Sequence, residues 1–384
     1  MKRLTESDSL HILEDLIAIK SVNNHEKDVA LYLQKLLASY NIGSEIINVQ
    51  GNRANLVAEI GSGTPVLSVC GHMDVVAAGD TADWDSDPFE MTERDGLLFG
   101  RGITDMKSGL AASVIAMINL QNAGLPKKGT IRLLATMAEE VGEYGSEAFY
   151  QDGIMDDVDG MVIAEPSGYS IGYAEKGSMD IKFISQGKAS HASMPENGYN
   201  AIDPLVAFIT EANQIFRDEN IPTGELGKFT FNTTVINGGI QVNSIPAYAE
   251  AEASIRTTPE FDNQRVIAEI DKLMQKYNDQ GAQLSTDIYM NAVPLAMKKD
   301  NSLVGAMKTA MERFTDIEIP VEAIAPATDG ANLLRDKSTN FPFIISGPGN
   351  KSVHKVNENV EKQMYLNFID IYQELFLKFL SDLK

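Results

Sequence analysis

The fold is decided at residues 66–74, where the chain reads VLSVCGHMD. Val66–Cys70 is a short apolar run rich in branched residues, and such a run is typical of a strand buried on both faces. A histidine and a carboxylate, His72 and Asp74, follow it almost directly. The stretch therefore predicts a central strand that carries polar side chains at its carboxyl end.

Three other segments repeat this pattern, namely Ile131–Ala135, Met161–Ala164 and Phe341–Ile345. Helical stretches such as 106–121 separate them, and alternation of strands with helices indicates an α/β domain. We therefore expect a mostly parallel central sheet with helices on both faces.

The region 178–291 has a different pattern. Its predicted elements are strand 179–184, helix 201–217, strands 228–236 and 247–256, helix 262–277 and strand 283–289. This β-α-β-β-α-β order is that of a ferredoxin-like α+β sandwich. The sequence thus predicts one domain at 1–177 and 292–384, interrupted by an inserted domain at 178–291.

The composition of the chain limits the kinds of molecule that it is expected to bind. The chain has 384 residues and a net charge of −22, which argues against binding to nucleic acid or anionic membranes. Its single cysteine, Cys70, allows no intrachain disulfide and is interpreted as a small buried side chain. The N-terminus lacks the apolar segment of a signal peptide, and no stretch is apolar enough to span a membrane. These features predict a cytoplasmic protein.

Residues suited to bind a metal ion follow each of the four apolar runs. They are His72, Glu139 with Glu140, Glu165 and His354, and Asp105 lies just before a predicted helix. In an open α/β sheet, ligands bind at the carboxyl ends of the strands. Imidazoles and carboxylates without thiolates suit Zn²⁺, Co²⁺ or Mn²⁺, and a carboxylate can bridge two ions.

Each residue alone has an ordinary explanation. A lone histidine such as His72 is more often structural, and Glu139-Glu140 alone suits a helix start, where negative charge is favoured. Glu165-Pro166 alone suits a turn. Only their joint occurrence at four strand ends favours a metal site, whereas His11 and His25, in or near the first helices, are interpreted as structural or exposed.

Several motifs together carry a resemblance to a known family. They are Gly71-His72-Met73-Asp74-Val75-Val76, Trp84, Asp87-Pro88-Phe89, Gly100-Arg101-Gly102, Asp105-Met106-Lys107, Glu139-Glu140, Glu165-Pro166, Ser190-His191-Ala192 with Pro195, Asn243-Ser244-Ile245-Pro246 and His354. Over nearly its whole length the chain resembles the co-catalytic two-zinc metallopeptidases and deacylases. This family includes succinyl-diaminopimelate desuccinylase, acetylornithine deacetylase, aminoacylase and glutamate carboxypeptidase. The chain departs from the family pattern at Ala77, often proline, and at Ser108-Gly109, often two glycines.

The resemblance implies a role for each residue of the metal site. Two divalent ions are expected, zinc first and cobalt or manganese as alternatives. His72, Asp105 and Glu165 would hold one ion, and Asp105, Glu140 and His354 the other, with Asp105 as the bridge. Asp74 would orient His72, and Glu139 would be the general base.

The resemblance also implies roles in the inserted domain, which would serve as a lid and a dimerisation domain. His191 would reach the active site of the partner subunit in a homodimer and stabilise the oxyanion. Arg256 would grip a substrate carboxylate, and Asn243 would contact the substrate. The alternatives are a surface histidine at His191 and a surface ion pair at Arg256.

Within the family, glutamate at the position of Glu165 is more typical of deacylases and carboxypeptidases than of aminopeptidases. We therefore expect removal of an acyl group from an N-acylated amino acid. Overall similarity favours N-succinyl-L,L-diaminopimelate, a precursor of diaminopimelate and lysine. Acetylornithine deacetylase is the first alternative, then aminoacylase or carboxypeptidase, and a non-catalytic binding protein on the same fold is a remote one.

Overall fold

The structure of the protein is a computed structural model, which describes residues 2–383 and divides into two compact units. The first unit comprises the chain up to Ala174, then Ala296–Ala323, and the chain from Thr328 onward. The second comprises Glu175–Leu295 and a short return, Ile324–Ala327. The inserted segment was predicted at 178–291, and the short return was not predicted because it has no distinctive composition.

The first unit begins with a helical pair and then builds most of its sheet. Its elements before the second unit are α1 (Glu6–Ala18), α2 (Glu26–Ser39), β1 (Ser44–Gln50), β2 (Arg53–Ser62), β3 (Val66–His72), β4 (Thr92–Arg94), β5 (Leu97–Phe99), α3 (Ser108–Asn122), β6 (Gly129–Thr136), α4 (Tyr144–Gln151), β7 (Gly160–Pro166) and β8 (Ile171–Glu175). An irregular turn, Ile103–Lys107, precedes α3, and a single 3₁₀ turn, Glu139–Val141, follows β6.

The second unit is an α+β sandwich. Its elements are β9 (Gly177–Gln186), β10 (Ser190–His191), α5 (Ile202–Phe216), β11 (Thr230–Gly238), β12 (Ser244–Ile245), β13 (Tyr248–Thr257), α6 (Asn263–Asp279) and β14 (Leu284–Ala292). Its main sheet is antiparallel with the order β11-β13-β9-β14. Alternate residues of β13 are buried, and this core includes apolar residues of α5 and α6. The β-α-β-β-α-β order predicted from the sequence is therefore present.

The chain then completes the first unit. The remaining elements are β15 (Leu295–Ala296), α7 (Ser302–Met311), β16 (Val321–Ile324), α8 (Gly330–Leu333), β17 (Phe343–Gly347), β18 (Asn359–Glu361) and α9 (Lys362–Asp382). In the described part of the chain, no helix has the length and apolar character needed to cross a membrane.

The large sheet of the first unit has the strand order β1-β2-β6-β3-β7-β17-β8, and the short strands β15 and β16 lie beside β8. Strands β6, β3, β7 and β17 are parallel to one another. Every residue of β3 and β6 is buried, so helices cover both faces of the sheet there. The four parallel strands are the four predicted runs, which confirms the predicted fold class. The last of these strands, β17, begins at Phe343 and not at the predicted Phe341, because Pro342 has no N–H to donate to the hydrogen bonds of the sheet.

Candidate metal centre

The four parallel strands end at one edge of the large sheet, and each end carries a candidate ligand. The residues carried there are His72 on β3, Glu139 and Glu140 after β6, Glu165 on β7 and His354 after β17. The strand register pairs His72 with Thr136 and Gly347 with Pro166, so the strand ends are close to level. The structure therefore brings these candidates together.

Asp105 lies in the irregular turn before α3, where its backbone departs from helical geometry. Its Oδ1 is 3.0 Å from Nε2 of His72, and its Oδ2 is 3.1 Å from Nε2 of His354. One carboxylate thus faces two imidazoles, one through each oxygen. A carboxylate that bridges two metal ions needs this arrangement.

His72 is fully buried at the end of β3 and directs Nε2 towards carboxylates. Besides Asp105, Oε1 of Glu165 lies 3.4 Å and Oε2 of Glu139 lies 4.0 Å from this nitrogen. The other nitrogen, Nδ1, donates to the main-chain carbonyl of Asp74 at 2.9 Å. Because a carbonyl oxygen only accepts, Nδ1 carries a hydrogen and Nε2 is the atom left to bind a cation.

His354 forms the other side of the cluster and is half-exposed, with a backbone φ of 61°. Its Nε2 is 3.0 Å from Oε2 of Glu140 and 3.1 Å from Oδ2 of Asp105. His354, Glu140 and Asp105 therefore form a second group of ligand atoms, next to the group around His72.

Asp74 has two separate contacts at this edge. Its carboxylate accepts hydrogen bonds from the main-chain N–H of Glu139 at 3.2 Å and of Glu140 at 3.1 Å. The same carboxylate stays 3.7 Å from Nδ1 of His72, which contacts the Asp74 carbonyl instead. Asp74 thus holds the Glu139-Glu140 turn with its side chain and touches His72 with its main chain.

The electrostatics of the cluster favour positive charge. Burial disfavours the charged form of His72, yet the surrounding carboxylates, Glu165 first, outweigh burial and raise the pKa of His72 well above its usual value. Hydrogen bonds to Asp105 and Glu140 raise the pKa of His354 to about 10. Burial raises the pKa of Glu139 and of Glu165 well above the usual range. Burial therefore disfavours the charged form of these two carboxylates, and a bound cation would favour it.

This donor set fits divalent metal ions. The ligand atoms of His72, Glu139 and Glu165 lie within 4.8 Å of one another, as do those of His72, Asp105 and Glu140. Imidazole nitrogen and carboxylate oxygen are the usual ligands of zinc, cobalt and manganese. The site residues predicted from the sequence for the first unit thus share one cluster.

The other three predicted residues, His191, Asn243 and Arg256, lie in the second unit. His191 on β10 pairs with Ser244 on β12, and the Ala192 N–H donates to the Asn243 carbonyl at 3.0 Å. His191 and Asn243 are therefore neighbours on one small ribbon. The Ser193 N–H donates to Nδ1 of His191 at 3.2 Å, so Nε2 carries the hydrogen of the neutral ring.

Arg256 lies at the far end of β13 from that ribbon. Its Nη1 donates to the hydroxyl of Ser178 at 2.7 Å, in line with the pairing of these two residues across β13 and β9. The strand from Tyr248 to Arg256 spans about 26 Å at the usual rise per residue. The structure thus separates Arg256 from His191 and Asn243 within one chain.

Two buried carboxylates near the cluster, Asp329 and Glu358, were not predicted from the sequence. Asp329 accepts a hydrogen bond from the Thr136 hydroxyl at 2.5 Å, below the end of β6. Glu358 binds the turn that contains Asp105. Asp329 lies among small and apolar residues and Glu358 in a polar segment, but neither segment has a periodic pattern, and a carboxylate in such a segment normally indicates a solvated loop. The position of Glu358, four residues after the predicted ligand His354, was a weak sequence signal that it lies near the metal centre.

Comparison with known proteins agrees with the fold and the metal site described above. The model of the peptidase family M20/M25/M40 matches residues 69–378. A probable succinyl-diaminopimelate desuccinylase of Staphylococcus epidermidis is 41% identical over 406 aligned residues, which cover 99% of this chain and 100% of that protein.

Solved structures show the same fold at low identity. An M20 family metallo-carboxypeptidase from Sulfolobus solfataricus has a TM-score of 0.82 and 18% identity, and the alignment covers 98% of this chain and 100% of that one. A Bacillus subtilis protein described as a dinuclear metal binding peptidase of the M20 family has a TM-score of 0.70 and 17% identity, with 98% of each chain covered.

Proposed function

The chain belongs to peptidase family M20/M25/M40 and is a hydrolase of amide bonds, and we propose that it removes the succinyl group from N-succinyl-L,L-diaminopimelate. One observation carries the catalytic part of the proposal, namely that the two oxygens of Asp105 face His72 and His354. The relatives at about 40% identity over the full chain, named probable succinyl-diaminopimelate desuccinylases, support the choice of substrate.

We assign the ligands in two sets that share Asp105. His72 and Glu165 complete one set, and Glu140 and His354 complete the other. Zinc suits both sets best, with cobalt or manganese as substitutes. When bound, two such ions lower the pKa of a water molecule and polarise the substrate carbonyl.

Glu139 is the proposed general base. It lies next to the cluster, and its distance of 4.0 Å from His72 is longer than those of Asp105 and Glu165. Glu139 takes a proton from the attacking water and delivers it to the leaving nitrogen as the amide C–N bond breaks. Asp74 keeps this carboxylate in place by accepting the Glu139 N–H.

His191, Asn243 and Arg256 are the proposed substrate-binding residues of the second unit. The Nε2 hydrogen of His191 is directed away from Ser193 and suits donation to an oxyanion. Arg256 suits a substrate carboxylate, because its guanidinium has hydroxyl and carbonyl neighbours and forms no ion pair within residues 2–383.

A homodimer through the second unit is part of the proposal. Since about 26 Å of strand β13 lies between Arg256 and the end nearer His191, a substrate site that uses both residues needs two copies of the unit. Strand β11 is an edge of its sheet and exposes Val235 and Ile236, as expected of a surface that pairs with a second copy. The predicted cytoplasmic location stays a prediction.

The first experiment compares substrates. The purified protein is stripped of metal, reloaded with Zn²⁺ or Co²⁺, and assayed on N-succinyl-L,L-diaminopimelate, N-acetylornithine and a plain dipeptide. Metal-dependent preference for the first supports the proposal. Preference for another substrate moves the protein to deacetylase, aminoacylase or peptidase activity. No turnover of any of the three substrates by the metal-loaded protein would overturn the choice of substrate and mean that the acyl group is not among those tested.

A further inference from the structure

Glu358 is buried and forms an ion pair with the equally buried Arg101. The Oε2 atom of Glu358 accepts from Nη1 of Arg101 at 2.6 Å and from the Gly102 N–H at 2.9 Å. Its Oε1 accepts from the N–H groups of Thr104 at 2.8 Å and of Asp105 at 2.9 Å. One carboxylate thus binds the main chain of the turn at three points and its arginine at a fourth.

The turn 101–105 is the segment that presents Asp105 to both imidazoles. It has no regular helix or strand to hold it, since the backbone at Asp105 and Met106 is non-helical. A second tie joins the same two segments, because the Thr104 hydroxyl donates to the Asn359 carbonyl at 2.5 Å. The main-chain direction of Asp105 is therefore set by residues 358–359.

Three motifs that the metal site does not use are assembled around this ion pair. The guanidinium carbon of Arg101 lies 5.1 Å from the centre of the Trp84 ring. The Arg101 N–H donates to the Pro88 carbonyl at 2.7 Å. Trp84 and Asp87-Pro88-Phe89 thus contact the arginine that holds the buried Glu358 carboxylate, and Gly100-Arg101-Gly102 contains that arginine.

Glu358 also lies close in sequence to His354, the imidazole on the Oδ2 side of Asp105. A single short segment therefore supplies one ligand and holds the main chain of the bridging ligand. Since Asp105 belongs to both proposed ligand sets, any loosening of its turn changes its geometry at both.

We propose that Glu358, held by Arg101, is a positioning residue that fixes the Asp105 bridge and thereby sets the affinity of the centre for metal ions. This inference rests on the proposed two-metal function. Glu358 is assigned no contact with substrate or metal and acts only through the main chain of residues 102–105.

The test measures metal binding without any substrate. Glu358→Gln keeps the size of the side chain but removes its charge and one acceptor. We expect Co²⁺ binding, followed by titration calorimetry and by the visible absorption of the bound ion, to weaken roughly tenfold to a hundredfold, the usual effect of losing a residue that orients a ligand. Thr104→Val removes only the tie to Asn359 and should weaken binding about fivefold, the value of one hydrogen bond.

Glu26→Gln is the matched control, because Glu26 is also fully buried and is paired with Arg53 in the same unit. It should lower thermal stability in the metal-free state as Glu358→Gln does, yet bind Co²⁺ like the wild type. Wild-type affinity and absorption in folded Glu358→Gln would overturn the inference, and so would an equal loss of affinity in Glu26→Gln. A wild-type protein that binds no divalent ion would overturn the proposed function as well. If Glu358→Gln does not fold, unchanged binding in Thr104→Val overturns the inference.

Discussion

Glu139 and Glu140 are adjacent in the chain but have different neighbours. Glu140 approaches Nε2 of His354 to 3.0 Å, whereas Glu139 remains 4.0 Å from the nearest imidazole nitrogen, that of His72. Asp74 accepts the N–H of both, so their positions are set together. The two side chains therefore suit the different proposed roles of base and ligand, because the 3₁₀ turn directs them to different atoms.

This difference predicts different effects of two substitutions. Glu139→Gln should reduce kcat by about 10²–10⁴-fold, the usual contribution of a general base, without loss of bound metal. Glu140→Gln should instead reduce the metal content after dialysis, because it removes a ligand. Steady-state kinetics and metal analysis of both variants decide this, and a Glu139→Gln protein with near-normal turnover would exclude the assignment as base.

The proposed role of Arg256 also depends on a single side chain, because one guanidinium would bind the substrate carboxylate. Arg256→Ala should raise KM for carboxylate substrates about tenfold to a hundredfold, the value of charge-assisted hydrogen bonds, with a smaller effect on kcat. Arg265→Ala is a suitable control, since Arg265 is an arginine of α6 that bonds the Glu260 carbonyl. Unchanged KM for every carboxylate substrate would remove Arg256 from the binding site.

At the scale of elements, helix α3 packs directly on strand β7. A Cβ atom on Gly109 would lie 2.0 Å from the carbonyl oxygen of Ala164, the residue before Glu165. The preceding position has room, and Ser108 donates its hydroxyl to the Pro348 carbonyl at 3.4 Å. This explains why the chain departs from the family's two glycines only at the first position.

Gly109→Ala should therefore destabilise the fold by about 1–3 kcal/mol, the range for overpacked sites. It should also lower metal affinity, because β7 carries Glu165. Gly305→Ala on α7 is the control, since an added Cβ there meets nothing within 4 Å and should stabilise the helix by about 1 kcal/mol. Thermal unfolding of both variants measures the difference, and equal midpoints would contradict the packing argument.

At the scale of the whole molecule, the proposed dimer makes His191 act on the metal centre of the partner subunit. The variants His191→Ala and Glu139→Gln should each be inactive, but their mixed dimer contains one site with both residues intact. After random exchange of subunits, the mixture should recover about one quarter of wild-type turnover. Mixing two preparations of the same variant is the control, and a mixture as inactive as its components would show that His191 does not act between subunits.

Much of this protein could be predicted from its sequence, because several signals are local. Runs such as Val66–Cys70 reveal buried parallel strands, since a strand covered on both faces must be apolar at every position. His72, Glu140 and Glu165 could be proposed as ligands because strand ends in an open α/β sheet lie at one edge. The β-α-β-β-α-β order of the second unit was also readable from periodicity alone.

Only the tertiary structure decided how the site is held. The two oxygens of Asp105 meet imidazoles from distant parts of the chain, and such a contact depends on packing that no local pattern encodes. The Asp74 carboxylate, which was predicted to orient His72, instead holds the Glu139-Glu140 turn. Glu358 binds the turn of Asp105, although its polar surroundings in the sequence are those of an ordinary loop residue. Sequence determined which groups reach the sheet edge, because side-chain chemistry and strand periodicity are local, whereas folding determined their distances.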